Sequence, residues 1–551
     1  MQRRRQGGRG FGMPGRTRSM AAATQGMVAT SHPQAVSAGL DILKAGGNAV
    51  DAAIAANAML GVVEPMSCGI GGDLFAIVWD ATNQQLSGLN ASGRSPLKTS
   101  IKYFTDRGEK KIPETGPLSW SVPGCVDGWE ELHRRMGTMG LAALLTPAIE
   151  AAEKGFVVTE IIGAGWRSTQ KLLSATSGAA KCFLKDGKPP AIGAKMTNPM
   201  LAKSYRTVAE GGRDAFYKGP IAASLVRYSE SVGGLFSVRD FEEHISNWVE
   251  PIKTTYRGHE IWELPPNGQG LAALEMLNIL EEFDIKGMGH NSADFLHLFL
   301  EAKKLAFADR AAYYADPDFA KMPIAELASK EYAAKQRKRI DLKKASLEVA
   351  PGDVRFERND TVYVTVVDKD RNAVSLIQSN YNGWGSGYVP DDLGFPIQNR
   401  GALFDLNPKH PNCLAPGKRP FHTIIPAMAS KNGVPWLSFG VMGGDMQPQG
   451  HVQVLINMLD HGMNIQQAGD AARCRHLGSS TPTGDRMTDG GTVALEPGIS
   501  QDVRSELESR GHKLGATNES FGGYQAVQID YTNGTLQGGS DPRKDGLAMG
   551  Y

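Results

Sequence analysis

The sequence predicts a mixed protein of helices and β-sheets, of the α/β or, more strictly, the α+β class. Helical periodicity dominates from Leu141 to Ile340, whereas the chain from Thr361 onward alternates strands with two helices. With 551 residues the chain is long enough for several domains, and one large sandwich with helical additions fits equally well.

The elements before residue 341 follow from local patterns. Pro33 to Met59 is an alanine-rich amphipathic stretch that Gly46-Gly47 divides into two helices, and Asp73 to Leu89 has the pattern of strands. The turn Pro265-Pro266-Asn267-Gly268 precedes a helix predicted from Leu271 to Phe283. This half is expected to pack around sheets formed mainly by the second half.

A β-hairpin is the most distinctive pattern of the second half. Residues 361–368 alternate in β fashion, Lys369-Asp370-Arg371 is a polar turn, and residues 372–380 resume the alternation. A turn centred on Asp370 pairs Thr361 with Ser379, and directly opposed residues have Cβ atoms about 4.5–5.5 Å apart. A turn displaced by one residue would put Asn380 opposite instead.

Thr361 becomes a candidate nucleophile if the chain is cut between Asp360 and Thr361. A threonine hydroxyl needs a neighbouring base, and a free α-amine on the same residue supplies one, with a pKa of about 7.7–8.0. An ordinary strand threonine is the alternative interpretation. The glycine-rich turn that follows the hairpin, residues 381–387, contains Trp384 and is suited to framing a pocket.

A second candidate element is Gly443-Gly444, which lies between an apolar strand and a helix predicted from His451 to His461. Glycines at such a junction can aim backbone N–H groups at a developing oxyanion, and losing one such donor costs about 2.7–4 kcal/mol of transition-state stabilisation. A plain strand-to-helix turn explains the two glycines as well.

The composition and the motifs argue against several classes of protein. The 59 Lys and Arg residues balance 58 Asp and Glu residues, so no whole-protein field favours nucleic acid or membranes. No apolar run approaches the roughly 18 residues of a spanning helix. No cofactor motif, Walker loop, GxSxG elbow or HExxH pair is present. The five cysteines lack CxxC spacing, which argues against a disulfide framework or a zinc site: Cys68, Cys125, Cys182, Cys413 and Cys474.

The first 25 residues are predicted to be a disordered basic extension. Six arginines lie among glycines in the first twenty positions, with no apolar segment behind them, so this stretch does not resemble a secretory signal. The expected compartment is therefore the cytoplasm.

Taken together, several motifs make the chain resemble the γ-glutamyltranspeptidase family from about Gly26 to Tyr551. They are Met27 to Pro33, Ala45 to Ala53, Gly69 to Asp73, Val122-Pro123-Gly124, Asp360-Thr361 with Val366-Val367-Asp368, Gly417 to Pro420, and Gly443-Gly444.

The resemblance implies an N-terminal-nucleophile hydrolase folded as a four-layer αββα sandwich and made as one proenzyme. It implies self-cleavage between Asp360 and Thr361 into a large subunit, residues 26–360, and a small catalytic subunit, residues 361–551. Ser379 would be the second hydroxyl of the site, and Gly443 and Gly444 would be oxyanion donors. The two subunits would stay associated, and a higher oligomer is left open.

The substrate-binding positions depart from the family pattern. The arginine that clamps the glutamyl carboxylate in transpeptidases corresponds to Ser92 here, with Arg94 two residues away, and the aspartate that binds the α-amine corresponds to Leu403. Losing both contacts would cost a γ-glutamyl substrate on the order of a hundredfold to ten-thousandfold in recognition. Candidate substrate-binding residues are Arg94, Tyr381, Arg400, His422, Thr423 and Asp445.

Three functions follow from this reasoning. The first is a self-cleaving amidase, without cofactor or metal, for a small amide whose acyl part carries a carboxylate, of the oxamate or glutaryl-amide type. The second is a true γ-glutamyl hydrolase or transferase acting on glutathione and other γ-glutamyl amides. The third is a processed but non-catalytic binding relative, against which the presence of Thr361, Ser379 and both glycines argues.

Overall fold

Two seven-stranded antiparallel sheets form the centre of the molecule. The computed structural model describes residues 17–350, 362–484, 486–515 and 520–551. Its strands are β1 (Ala21–Ala23), β2 (Met27–Thr30), β3 (Asp73–Asp80), β4 (Gln85–Ala91), β5 (Phe156–Val157), β6 (Lys195–Met196), β7 (Asn247–Val249), β8 (Ile252–Tyr256), β9 (His259–Glu263), β10 (Val362–Val367), β11 (Ala373–Ser379), β12 (Ala427–Lys431), β13 (Val434–Val441), β14 (Cys474–Leu477), β15 (Thr492–Leu495), β16 (Tyr524–Asp530), β17 (Thr535–Ser540) and β18 (Leu547–Gly550).

Helices cover the outer faces of both sheets. They are α1 (Pro33–Lys44), α2 (Ala49–Val63), α3 (Ile101–Thr105), α4 (Cys125–Met136), α5 (Leu141–Lys154), α6 (Glu160–Ser168), α7 (Gln170–Leu173), α8 (Ser177–Phe183), α9 (Pro199–Tyr217), α10 (Pro220–Ser231), α11 (Val238–Glu242), α12 (Gly270–Leu280), α13 (Ile285–Met288), α14 (Ala293–Tyr313), α15 (Ile324–Leu327), α16 (Lys330–Arg337), α17 (Met446–Leu459), α18 (Ile465–Asp470) and α19 (Gln501–Ser509), with short 3₁₀ turns at Pro117–Ser119 and Arg400–Leu403.

The first sheet has the order β1-β17-β16-β13-β12-β9-β8, and the second has the order β18-β2-β10-β11-β3-β4-β7. Apolar side chains such as Phe75, Tyr363 and Met428 pack between the two sheets. Helices α1, α2 and α5 pack with the second sheet, and α12, α14 and α17 pack with the first. The predicted αββα sandwich is confirmed.

The sequence between α1 and α2 ends the first helix and begins the second. Gly46 adopts a φ of 96° just beyond α1, and the Asn48 side chain then caps α2 by accepting hydrogen bonds from the Val50 and Asp51 backbone N–H groups. Such a cap contributes about 1 kcal/mol. All fifteen residues of α2 are buried, and the predicted division of this stretch at Gly46-Gly47 is confirmed.

The strands on either side of residue 361 are interleaved. Strands β10 and β11 lie between β2 and β3 in the second sheet, and β12 lies beside β9 in the first. Each sheet therefore combines strands from residues 26–360 with strands from residues 361–551. Two subunits divided at residue 361 would share both sheets and their hydrogen-bond ladders.

Three expectations about the fold need correction. The predicted helical region from Leu141 to Ile340 also contains the five strands β5 to β9, which have two to five residues each and are too short to change the helical periodicity of the surrounding sequence. The predicted disordered extension is wrong for residues 17–25, since Ala21–Ala23 pairs with β17 and Thr17 bonds to Asp470, while residues 1–16 lie outside the described residues. The helix predicted from His451 begins earlier, at Met446.

All five cysteines lie within the described residues and are free thiols. None of the described helices combines the length and the low charge needed to span a bilayer.

Candidate active site

The predicted hairpin is present in the predicted register. Strands β10 and β11 are antiparallel, and Val362 is the partner of Gln378. This is the register from which the sequence placed Thr361 opposite Ser379. Asp360 and Thr361 themselves lie outside the described residues, so their pairing and the cut between them stay predictions.

Ser379 lies at the end of β11 and is fully buried. Its Cα partner on the neighbouring strand is Asp73, the first residue of β3. Its Oγ accepts a hydrogen bond of 2.9 Å from the backbone N–H of Tyr381, where the chain turns sharply with a φ of 79°. A hydroxyl that accepts on one side keeps its own proton for donation in another direction.

Gly443 and Gly444 form a turn between β13 and α17. Their φ angles are 113° and 57°, in the range that favours glycine, and a Cβ on Gly443 would lie 3.2 Å from Gly522 Cα. The carbonyls of both glycines accept hydrogen bonds of 3.0 Å from Met446 and Gln447 at the start of the helix. Because C=O and N–H point in opposite directions in a trans peptide, the N–H groups of Gly444 and Asp445 point away from α17.

A buried amide side chain holds this turn. Gln269 Nε2 donates to Thr423 O at 2.6 Å and to Gly444 O at 2.9 Å, while its Oε1 accepts from Arg310 Nη1 at 2.5 Å. Arg310 Nη1 also lies 2.7 Å from Asp445 Oδ1. Burial opposes the ionisation of Asp445, but the Arg310 guanidinium keeps its pKa below the ordinary value. Asp445, a candidate substrate ligand by sequence, is therefore engaged in an ion pair.

A second buried cluster combines Asp73, His422 and Arg400, none of which is exposed. Asp73 Oδ1 accepts from Gly93 N at 2.7 Å and from Gln398 Nε2 at 2.8 Å, and Asp73 Oδ2 lies 2.9 Å from His422 Nε2. Burial and the nearby Arg400 lower the pKa of His422 to about 4, although Asp73 acts in the opposite direction. His422 is therefore neutral at pH 7.

Arg400 combines a buried cation with free hydrogen-bonding capacity. Its Nη1 donates to Thr423 Oγ1 at 2.8 Å, and its guanidinium carbon lies 4.5 Å from the centre of the Tyr381 ring. Its Nε and Nη2 have no hydrogen-bond partner among the described residues. Burial lowers the pKa of Arg400 to about 10, so the side chain remains protonated at neutral pH.

Arg94 has other partners. Its guanidinium donates to Ile245 O at 3.1 Å and to Asn247 Oδ1 at 3.4 Å, and it lies 3.7 Å from Asp318. Arg419 donates to the same two acceptors. Arg94 thus bonds to Ile245 and Asn247 at the start of β7, whereas Arg400 bonds to Thr423 through Nη1.

Comparison with known proteins identifies the family to which the chain belongs. The family model described as gamma-glutamyltranspeptidase matches residues 35–551. The chain belongs to the γ-glutamyltranspeptidase family. It is an enzyme of this family, a hydrolase.

Three members of the family illustrate the range of named activities. The chain is 36% identical over 531 residues to the glutathione hydrolase-like YwrD proenzyme of Bacillus subtilis, covering 96% of this chain and 98% of that protein. It is 36% identical to the acylase ACY 1 proenzyme of Pseudomonas sp. strain SE83, covering 96% and 94%. The crystal structure of cephalosporin acylase from Bacillus halodurans superposes with a TM-score of 0.90 at 40% identity, covering 99% of each chain.

Sequence reasoning predicted some of the residues that meet in these clusters and did not predict others. It named Ser379, Tyr381, Arg400, His422, Thr423 and the glycine pair, which the structure brings together with Asp73. It missed Gln269, Arg310 and Gln398, which act through buried hydrogen bonds. The turn before α12 was recognised for its prolines and glycine, and a glutamine in that turn was the only signal for Gln269.

The substitution Gln269→Glu tests whether the hydrogen bonds of Gln269 hold the Gly443-Gly444 turn in place. It keeps an acceptor for Arg310 but removes the NH₂ donors to Thr423 O and Gly444 O, and an unsatisfied buried acceptor costs about 1–3 kcal/mol. We expect kcat to fall about tenfold to a hundredfold with little change in KM, measured on the best amide substrate. The exposed Gln170→Glu is the charge-matched control, and a Gln269→Glu variant with wild-type kcat would contradict this role.

Stability should depend on pH through His422. Its pKa is about 4 in the folded protein and 6.5 ordinarily, so the unfolded chain binds more protons between these values. The stabilisation is complete above pH 6.5 and is lost as pH falls towards 4, by on the order of 2 kcal/mol at pH 5. Urea unfolding of wild type and His422→Asn at pH 7 and pH 5 measures this. We expect the variant to lose less stability between the two pH values, and an equal loss would refute the assignment.

Proposed function

We propose that this enzyme is a self-cleaving N-terminal-threonine amidohydrolase that works through an acyl-enzyme. In maturation, the Thr361 hydroxyl attacks the Asp360 carbonyl, the peptide nitrogen leaves as the Thr361 α-amine, and water opens the resulting ester to give a carboxylate on Asp360. The word proenzyme in the names of its relatives supports this, as do the strands shared across residue 361.

Substrate cleavage would repeat the chemistry on a foreign amide. The Thr361 α-amine takes the hydroxyl proton, the oxygen attacks the substrate carbonyl, and the proton passes to the departing amine. Water then hydrolyses the acyl ester and releases a carboxylic acid. Ser379 would orient the nucleophile, and N–H groups of the Gly443-Gly444 turn would bind the oxyanion.

The observation that carries the substrate assignment is Arg400. Two nitrogens of its fully buried guanidinium have no hydrogen-bond partner among the described residues, which is costly, and a carboxylate is the ligand that its fork fits. Its neighbours Tyr381 and Thr423 fix its orientation, and the neutral His422 adds a polar contact without a charge. We therefore propose a small amide whose acyl part ends in a carboxylate, of the oxamate or glutaryl type.

One observation favours a second candidate, a γ-glutamyl substrate. The Oδ2 atom of Asp73 lies 2.9 Å from His422 Nε2 but makes no hydrogen bond of good geometry within the described residues. The Asp73 carboxylate is also close enough to Arg400 to oppose the lowering of its pKa. A carboxylate beside a guanidinium could hold an acyl group that carries both an ammonium and a carboxylate. In this case Asp73 would take the role of the aspartate that the family places at Leu403.

A matched substrate panel separates the candidates. The processed enzyme would be assayed with the p-nitroanilides of glutarate, pentanoate and γ-glutamate, and with oxamate. A preference for glutaryl over pentanoyl of at least about a hundredfold in kcat/KM, or turnover of oxamate, would support the carboxylate assignment. A preference for the γ-glutamyl substrate over both would favour the second candidate, and the absence of turnover of all four would contradict both.

A further inference from the structure

A second cluster of functional side chains lies far from the active site. His297 and Glu301 are four residues apart on α14, so they project from the same face of the helix. His512, in the turn after α19, completes a group in which one ligand-type atom of each side chain lies within 4.8 Å of the others. His297 is thirteen residues, or about 20 Å of helix, from Arg310 at the active site.

All three side chains are almost fully buried, with 1% of His297, 2% of Glu301 and 5% of His512 exposed. His297 Nε2 lies 2.7 Å from the carbonyl of Asp341, and His297 Nδ1 lies 2.8 Å from His512 Nε2. A carbonyl can only accept, so Nε2 of His297 carries the proton and Nδ1 presents a lone pair to the centre of the cluster. A histidine fixed by a backbone carbonyl in this way is the usual arrangement of a metal ligand.

The imidazole of His512 can also present a lone pair to a metal. The Nδ1 atom of His512 is buried and has no hydrogen-bond partner among the described residues. It can accept the proton that Nε2 now carries, which frees Nε2 as a ligand. Metals bind the neutral imidazole through the ring nitrogen that carries no proton.

We propose that His297 Nδ1, His512 Nε2 and a Glu301 carboxylate oxygen form a binding site for a divalent transition metal, with zinc as the best fit. Two imidazoles and one carboxylate are a common zinc donor set, with water in the fourth position. Tetrahedral bonds of about 2.0–2.1 Å place ligand atoms about 3.4 Å apart, so binding requires small side-chain shifts.

Lys304, which forms an ion pair with Glu301, would compete with a metal for the Glu301 carboxylate. Its Nζ lies 2.8 Å from Glu301 Oε1 and donates to Ser346 O, while Glu301 Oε2 accepts from Ser346 N at 3.1 Å. Metal and ammonium compete for one carboxylate.

The site would join two parts of the chain. Residues 341–347 precede the proposed cut and are already attached to residues 490–510, since Ala345 N donates to Arg510 O and Gly490 N donates to Leu347 O. If the proposed cut at residue 361 occurs, His297 and Glu301 belong to one subunit and His512 to the other. The metal would then connect the two subunits, which is the only part of the inference that rests on the proposed function.

Metal binding by the full-length or processed protein tests the site directly. Protein stripped with a chelator would be titrated at pH 7 with Zn²⁺ by calorimetry and with Co²⁺ by visible absorption. We expect one tightly bound equivalent, a tetrahedral Co²⁺ spectrum and a higher thermal midpoint with Zn²⁺.

Variants of the three proposed ligands and of a control histidine test whether the metal binds at this cluster. His512→Ala, His297→Ala and Glu301→Gln should each weaken binding by at least about tenfold, while the exposed His290→Ala should not. Glu301→Gln keeps the side-chain shape, so it covers the case in which a histidine variant fails to fold. Less than a tenth of an equivalent bound, or binding unaffected by Glu301→Gln, would overturn the proposal. If the purified wild-type chain stays uncut and still binds the metal, the site is supported and the proposed maturation is contradicted.

Discussion

Replacing Thr361 by alanine is expected to leave the chain uncut and to abolish amide hydrolysis. Both events are proposed to use the same hydroxyl, and cleavage also creates the α-amine that serves as its base. Activity should fall by on the order of ten-thousandfold or more, as it does when the nucleophile of a hydrolase is removed. Denaturing gels and progress curves with the best substrate of the panel measure the two effects on the same preparation.

Thr361→Ser provides the matched control. Serine keeps a hydroxyl beside the α-amine and loses only a methyl group, so we expect slower cutting and reduced but measurable turnover. The neighbouring β10 and β11 pairing at Val362 and Gln378 should be retained in both variants, and circular dichroism verifies it. A Thr361→Ala protein that hydrolyses amides at the wild-type rate would show that another residue is the nucleophile.

Replacing Arg400 by methionine is expected to remove the preference for substrates with an acyl carboxylate. Each hydrogen bond to a charged group is worth about 1.5–3 kcal/mol, so losing two should lower kcat/KM for the glutaryl substrate about a hundredfold to ten-thousandfold. The pentanoyl substrate, which has no carboxylate, should change little. The two substrates should therefore become nearly equivalent for the variant.

The thermal stability of the Arg400→Met variant distinguishes the loss of a substrate contact from misfolding. Arg400 is buried, and two of its nitrogens have no hydrogen-bond partner in the part of the chain that the structure describes. Replacing it by an apolar side chain of similar length should therefore leave the thermal midpoint unchanged or raise it. Arg94→Met is the control, since the guanidinium of Arg94 is bonded to Ile245 and Asn247 at the start of β7. If Arg94→Met lost the glutaryl preference and Arg400→Met kept it, the carboxylate ligand would be Arg94.

The hairpin register and the break between the first two helices could be predicted from the sequence because these features depend on local patterns. The register of β10 and β11 follows from the turn around Asp370, and the break between α1 and α2 follows from Gly46-Gly47. The four-layer arrangement came from family resemblance, since alternation within a strand does not specify which sheet the strand joins.

The remaining features depend on contacts between residues far apart in the chain. Gln269 connects Thr423, Gly444 and Arg310, which are separated from it by 154, 175 and 41 positions. No periodicity links such residues. The partners of Arg94 and the ion pair of Asp445 also depend on where other loops fold, which explains why sequence alone grouped Arg94 with Arg400 and gave Asp445 a ligand role.

The central claim is that an internal peptide bond breaks to create a threonine N-terminus. Intact-mass spectrometry and N-terminal sequencing of the purified wild-type protein test it most directly. We predict two polypeptides, one ending at Asp360 and one beginning Thr361-Val362-Tyr363. A single uncut polypeptide that hydrolyses amides would contradict the account.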